Sequence, residues 1–321
     1  MNNTTKRSNV NKTWELLQIY LQKTVLENFE PNLYFYKMGE KPMWEDGYNT
    51  IAWTRYNRLV ISAEDSQLVE SVTPEETAFN TTTISVSPIQ YWLYVVLSDM
   101  LLDVAPVDLI GWAAKEVGMN MARIIDEAIQ SNLLANNLNT IYASDDHSSR
   151  VTLDATDTLK AKYLNQARTF LTTQSAPDFN GYYVAHLHPN VAYDLREETS
   201  VGGWLDSRKY AQPENIFKWE IGAINWVRVI ESPFVKRVQS TVVVYPTYVM
   251  GRWAYWVATL QNLKAYKTPR TASDSDPLAQ RVKVWSKVAF NTKILQAEAL
   301  VIIESASSQA FNSEFNPAPT A

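Results

Sequence analysis

The run PVDLIGWAAKEVGMNMARIIDEAIQSNLL, residues 106–134, decides how this chain is read. Ile110, Ala113, Ala114, Val117, Met121, Ile124, Ile125 and Ala128 recur at i, i+3, i+4 and i+7, the spacing of one helical stripe. Pro106 and Asp108 suit its first turn, the one by its fixed φ, the other by its charge on the helix dipole. From 107 to 134 the helix would extend about 40 Å at 1.5 Å per residue, which is long for a globular protein and suggests a spine.

Upstream, residues 48–97 read as two long strands around a polar tip. Ile51 and Trp53 alternate with Ala52, Thr54 and Tyr56; Ile89, Tyr91, Leu93, Val95 and Leu97 alternate with Gln90, Trp92, Tyr94, Val96 and Ser98. Between them lie Glu64, Asp65, Glu70, Glu75 and Glu76. A hairpin this long cannot bury both faces on its own core, and two-stranded ribbons are marginal alone, so it is expected to lie on a neighbour. Earlier still, residues 13–29 turn helical, with Trp14, Leu17, Leu21 and Val25 near one face and Pro31 as the stop. This segment reads as an arm that needs something else to pack on. Residues 1–13 carry Lys6, Arg7 and Lys12 with no acid among them and little to bury.

Downstream, a second amphipathic helix runs through Leu159, Tyr163, Leu164, Ala167, Phe170 and Leu171 and is followed by Pro177. A strand over 182–187 leads to a short helix near Pro189. Strands follow at 226–231 and 241–245, with another element near 253–257. Val282, Val284, Val288 and Phe290 alternate, and 299–303 is a short apolar run. The tail from Ser305 is small and polar, and fraying is expected. No repeat or linker separates independent domains. The class is α+β, with β at both ends and helices in the middle.

Composition sets outer limits. The 321 residues are 46% hydrophobic, enough for one large or two modest domains. The absence of cysteine excludes disulfides and thiolate metal sites and suits a reducing compartment. No signal-like apolar core opens the chain, and no run approaches the roughly 18 apolar residues of a membrane span, so a soluble intracellular product is expected. A net charge of −5 argues against nucleic-acid binding by bulk electrostatics. Eleven Trp and 17 Tyr beside only 9 Gly suit surfaces buried against partners, or a large core.

Chemistry is hard to find. No phosphate-binding glycine loop, nucleophile elbow or zinc-protease helix occurs. His186 and His188 are the best metal candidates because alternate strand residues point the same way, with Asp194 as a conceivable third ligand. However, His188 precedes Pro189 at a strand-to-helix turn, where a histidine often caps or packs. His147 sits beside Asp145 and Asp146. Asp99, Asp103 and Asp108, and Asp274 with Asp276, lack a calcium-loop pattern, and capping and solvation account for them. No enzyme, cofactor or metal is expected.

A set of landmarks occurs in order along the chain: Gly47-Tyr48-Asn49-Thr50-Ile51-Ala52-Trp53-Thr54-Arg55-Tyr56, then Glu70-Ser71-Val72-Thr73-Pro74 and Leu97-Ser98-Asp99. His188-Pro189-Asn190-Val191-Ala192-Tyr193-Asp194-Leu195 is the strongest block, followed by Lys209-Tyr210, Pro213-Glu214-Asn215-Ile216 and Glu220-Ile221-Gly222. Tyr245-Pro246-Thr247, Gly251 and Asp276-Pro277-Leu278-Ala279-Gln280-Arg281 complete the series. From about residue 45 to 304 the chain resembles the major capsid proteins of short-tailed phages related to coliphage N-four, within the wider Hong Kong-97 capsid fold.

The resemblance implies an N-terminal arm over 1–45, an extended β-hairpin loop over 46–97, and a peripheral domain with the spine helix over 98–152 and 259–304. It further implies an axial domain over 153–258 and a flexible tail over 305–321. The extended loop lies across the adjacent subunit in that family, which makes Trp53, Arg55, Arg58, Glu64, Asp65, Glu75 and Glu76 expected assembly contacts. On the arm, Lys6, Arg7 and Lys12 would touch packaged DNA non-specifically or acidic patches on neighbours, the loop tip being one such patch. The implied function is a shell of hexamers and pentamers around a double-stranded DNA genome, in a virion assembled in the host cytoplasm. The implied partners are further copies, portal and scaffolding proteins, and optionally a decoration protein, with no membrane. An encapsulin-like nanocompartment enclosing cargo enzymes is the alternative. No lysine lies between Lys41 and Lys115, so no Lys–Asn crosslink is expected from the loop. The first 45 residues match the family poorly and hold no long scaffold-like prodomain, which suits a separate scaffolding protein.

Overall fold

The helix expected over 107–134 forms as one uninterrupted element, Leu109–Asn136. Asp108 is its N-cap and accepts the Gly111 N–H at 3.0 Å, while Pro106 lies outside the cap instead of in the first turn. The computed structural model describes residues 18–29, 33–42, 49–56, 66–68, 73, 80–199, 220–268 and 277–309. In chain order the elements are α1 (18–29), α2 (Phe35–Met38), β1 (Ile51–Tyr56), β2 (Thr81–Val86), β3 (Ile89–Ser98), α3 (Asp99–Val104), α4 (Leu109–Asn136) and β4 (Thr140–Tyr142). There follow α5 (Ala161–Thr173), β5 (Tyr183–Leu187), α6 (Pro189–Glu197), β6 (Glu220–Ile224), β7 (Val227–Glu231), β8 (Val238–Gln239), β9 (Val243–Met250), β10 (Tyr255–Lys267), β11 (Arg281–Ile294) and β12 (Leu300–Ser305). The class is mixed α+β.

The ribbon differs from its sequence reading. β1 pairs with β2, a threonine-rich strand that polar composition hid, and not with 89–97. β3 instead pairs antiparallel with β11, Ile89 opposite Phe290 and Ser98 opposite Arg281, in a three-stranded sheet of order β10-β11-β3. The reason lies in the alternation. Tyr91, Leu93, Val95 and Leu97 form an apolar face that needs a core, and α4 covers it. On α4 the residues facing that core include Ala113, Ala114, Met121, Ile125, Ile129 and Leu133, with Ile110 and Ala128 at the rim, while Ile124 is half-buried beside it.

The expected N-terminal arm does find something to pack on, within the same chain. Leu21, Val25 and Phe29 of α1 join the core under α4. Gly118 makes the close crossing possible, because a Cβ there would stand 2.6 Å from the Val25 carbonyl oxygen. α2 then inserts Phe35 into the same core, its N-terminal amides held by the buried Asp126 of α4.

The second sheet has the order β4-β12-β9-β5-β7-β6, with β8 added on β9. β12/β4 and β5/β7 are parallel; the other pairs are antiparallel. Its period-2 alternation serves two cores. Val184, Tyr248, Met250, Leu300 and Ile302 face the α4 core, while Ala185, Val249, Val301 and Ile303 face a second core closed by α5 and α6. Both faces being buried explains why these strands read as continuous apolar runs.

The tail also differs from expectation over 305–309. Ser305 is paired in β12, and Ala306 bridges Thr158. Asp194 accepts Ser308 N–H at 3.2 Å and the Ser308 hydroxyl, and Asn190 Nδ2 donates to the Gln309 carbonyl at 3.0 Å. Strand pairing and hydrogen bonds to α6, which the composition of the tail does not reveal, tie this stretch down. Residues from 310 lie outside the described part.

Candidate assembly surfaces

Among the described side chains of the β1–β2 ribbon only Val86 is buried, packed with Trp256 and Ala258. Trp53 lies edge-on to Trp256, centroids 5.3 Å apart, and remains half exposed. Arg55 donates to the Leu295 carbonyl at 3.3 Å and to Glu298 Oε2 at 3.0 Å. Two of the expected assembly contacts thus brace the ribbon on its own body. Arg58, Glu64, Asp65, Glu75 and Glu76 lie outside the described residues, as do Lys6, Arg7 and Lys12.

Sequence reading missed the outer face of the three-stranded sheet. Trp92 and Tyr94 stack there at 5.3 Å and 23°, and Tyr266 stacks on Trp285 at 4.3 Å and 23°. Trp92 is 65% exposed. The available signal was that both alternating sets of 89–98 are apolar or aromatic, so one had to face water or a partner.

α3, capped by Ser98 Oγ at 3.3 Å from Leu101 N, has no buried residue and exposes Met100, Leu101 and Val104. Val107 and Trp112 extend the exposed apolar set. At the tip of the β6–β7 hairpin, Asn225 and Trp226 both have positive φ, 44° and 64°. Trp226 is 54% exposed against Tyr182, whose ring also receives Arg228 at 4.2 Å.

The histidines diverge. His186 is fully buried against Phe35 at 4.8 Å, and neither ring nitrogen has a hydrogen-bond partner among the described residues. Burial pushes its pKa down to about 4, so the ring is neutral. His188 faces the other core, 4.9 Å from Tyr245, and caps α6 by accepting Asn190 N–H at 3.2 Å; burial and then Arg237 lower its pKa to about 4. Asp194 is engaged by Ser308, so these three side chains do not converge. His147 bonds Asp157 at 2.7 Å, which raises its pKa. Asp99 and Asp108 serve helix starts; Asp274 and Asp276 lie outside the described residues. Among the described residues no group of three His, Asp or Glu side chains is placed to hold a metal, and no helix is long and apolar enough to cross a membrane.

No family model and no curated protein matches this sequence. Solved structures do. The capsid of Ralstonia phage GP4 superposes with a TM-score of 0.67 at 15% identity, covering 88% of this chain and 93% of that one. The cyanophage Pam1 capsid subunit gives 0.65 at 13%, covering 88% and 92%. The virus-like particle from Pyrococcus furiosus gives 0.55 at 11%, covering 89% and 99%. The likeness runs over nearly the whole of each chain, so this protein has the fold of these phage capsid proteins.

Proposed function

We propose that this chain is the major capsid protein of a tailed phage, assembling as hexamers and pentamers into an icosahedral shell around double-stranded DNA. The observation that carries the reading is the near end-to-end likeness to phage capsid subunits. The exposed ribbon, the aromatic sheet face and the apolar α3 are the kinds of surface that a shell subunit hides against neighbours. In this reading β1–β2 and the residues between them form the extended loop, and α4 with the three-stranded sheet forms the peripheral domain around a spine. The larger sheet with α5 and α6 forms the axial domain. Each copy meets several others, so modest contacts sum to a durable shell. Portal and scaffolding proteins complete assembly in the host cytoplasm, and the role is structural rather than enzymatic. A nanocompartment shell is the weaker reading, since the structures matched at TM-scores of 0.65 and 0.67 are both phage capsids.

Electron microscopy of the purified chain, alone and with a candidate scaffold, tests this. Closed shells, hexamer sheets or tubes are the expected outcome. A dispersed monomer or small dimer under both conditions would overturn it.

A further inference from the structure

Asn180-Gly181 is the only Asn-Gly pair in the sequence, and the fold sets it at the tip of a two-residue turn. Phe179 N–H donates to the Tyr182 carbonyl at 2.8 Å, and Tyr182 N–H donates back to the Phe179 carbonyl at 3.3 Å. Asn180 has φ 55° and Gly181 φ 91°, the pattern of the mirror-image hairpin turn in which Asn-Gly is favoured. Both residues are exposed, and a Cβ on Gly181 would meet nothing within 4 Å. Among the described residues neither the Asn180 side chain nor the Gly181 N–H has a hydrogen-bond partner.

An Asn-Gly pair is poorly protected against attack on the asparagine by its own backbone. The nitrogen of the next residue can reach the side-chain carbonyl carbon, and a side chain on that residue obstructs the approach; glycine has none. Asn225 is the internal contrast. It too is left-handed, at φ 44°, but its neighbour is Trp226 and its Nδ2 donates to Asn165 Oδ1.

We propose that Asn180 is a spontaneous modification site, deamidating through a cyclic imide. Base removes the Gly181 amide proton, the nitrogen bonds to Asn180 Cγ, and the Cγ–Nδ2 bond breaks as ammonia leaves with a proton. Water then opens the imide. Cleavage of the new Cγ–N bond leaves an aspartyl residue. Cleavage of the original peptide bond leaves an isoaspartyl linkage, with the main chain routed through the side chain and longer by one methylene. Water is the sole co-reactant, and no electrons are exchanged. Ring closure turns the Asn180–Gly181 peptide out of the hairpin against the two Phe179–Tyr182 bonds, so the folded chain reacts more slowly than the unfolded one.

Both products place a carboxylate two residues from Tyr182, whose ring receives the Arg228 guanidinium at 4.2 Å. The aspartyl form keeps the turn, since aspartate tolerates the left-handed region. The isoaspartyl form lengthens the connection and cannot keep both Phe179–Tyr182 bonds. The change spreads to the strand ends that this loop ties. There the Tyr183 hydroxyl donates to the Ala176 carbonyl at 3.0 Å, and Arg252 N–H donates to the Pro177 carbonyl at 2.8 Å. The site stands without the shell reading above; in a shell whose subunits are not replaced, the change would accumulate with age.

The test incubates the purified full-length protein at neutral and at mildly alkaline pH in water carrying heavy oxygen, then digests it in acid so that handling adds no conversion. Expected is a peptide spanning Asn180 that gains one heavy oxygen, as a mixture of aspartyl and isoaspartyl forms, at a rate rising in proportion to hydroxide. The peptide spanning Asn225 stays unchanged, and Asn180→Gly, which suits the left-handed backbone, removes the isoaspartyl signal from the intact protein. An unchanged Asn180 peptide in the folded protein overturns the inference, whatever the urea-unfolded protein does, as does equal conversion at Asn225. In a second arm the deamidated fraction, separated by its added charge, shows faster amide exchange over 176–183 than Asn180→Asp, which exchanges like wild type. Equal exchange in the two overturns the consequence assigned to the strand ends.

Discussion

The Asp126 carboxylate accepts the backbone N–H of Tyr34 at 2.7 Å and so caps a helix encoded 92 residues earlier. It also accepts Phe35 N–H at 3.3 Å and Tyr36 N–H at 3.1 Å, where Tyr34 itself provides no capping side chain. The result holds Phe35 against His186 and Tyr248, with the Tyr255 hydroxyl donating to the Phe35 carbonyl at 2.5 Å. Asp126→Ala strands three amides, and a loss of about 3–5 kcal/mol is expected from the denaturation midpoint. Asp126→Asn, which keeps one acceptor oxygen, should lose roughly half as much.

Asp126 and His186 pull the pH dependence in opposite directions. Burial raises the Asp126 pKa to about 6, against its hydrogen bonds to the α2 amides. Its contribution is therefore greatest below the ordinary carboxylate pKa and is lost as pH rises through about 6. His186, lowered by burial to about 4, contributes fully above its ordinary pKa of 6.5 and loses that contribution as pH falls towards 4. Each swing is on the order of 3 kcal/mol. In denaturation of the unassembled subunit from pH 7 to 4.5, His186→Phe should gain stability on acidification relative to wild type. Asp126→Asn should lose more than wild type does. Parallel curves for all three proteins would contradict the assignment.

Gly118 sets the distance between α1 and α4. Gly118→Ala places a methyl 2.6 Å from a backbone oxygen, so α1 must shift. The expected cost is about 1–3 kcal/mol, with faster amide exchange confined to residues 18–29. Exchange unchanged in α1 would show that the helix yields freely.

Much of this was legible beforehand, and the misses share causes. The apolar stripe of α4 is strongly periodic, so its helix was readable to within two residues at either end. β2 was hidden because Thr81, Thr82 and Thr83 carry no apolar alternation, its one buried side chain being Val86 at the far end of the strand. The partner of β3 was misassigned because alternation reveals which face is buried, not what covers it. Asp126 was passed over as one more polar residue, although it falls on the buried stripe four residues before Gln130, also buried. Of the predicted contacts, Trp53 and Arg55 lie at the ribbon and brace it on its own chain. The aromatic sheet face needed the β3–β11 register before its rows could be seen.

Trp226 occupies a backbone region that glycine takes without strain, at φ 64° beside Asn225 at φ 44°. Comparing two variants that both lack the indole isolates the backbone cost. Trp226→Gly should be about 1 kcal/mol more stable than Trp226→Ala in thermal unfolding. Equal stability would mean that the turn relaxes once the side chain is gone.

The position of β12 between β4 and β9 bears on synthesis at the ribosome. Its residues, 300–305, supply side chains to both cores and hold two strands made more than 50 and about 160 residues earlier. Until translation has passed that point, the larger sheet is split and each core lacks a wall, so a nascent or truncated chain has no finished surface to offer a neighbour. If the chain is the shell subunit proposed above, completion of the polypeptide would be a precondition for joining the shell, and prematurely terminated products would be left out of it.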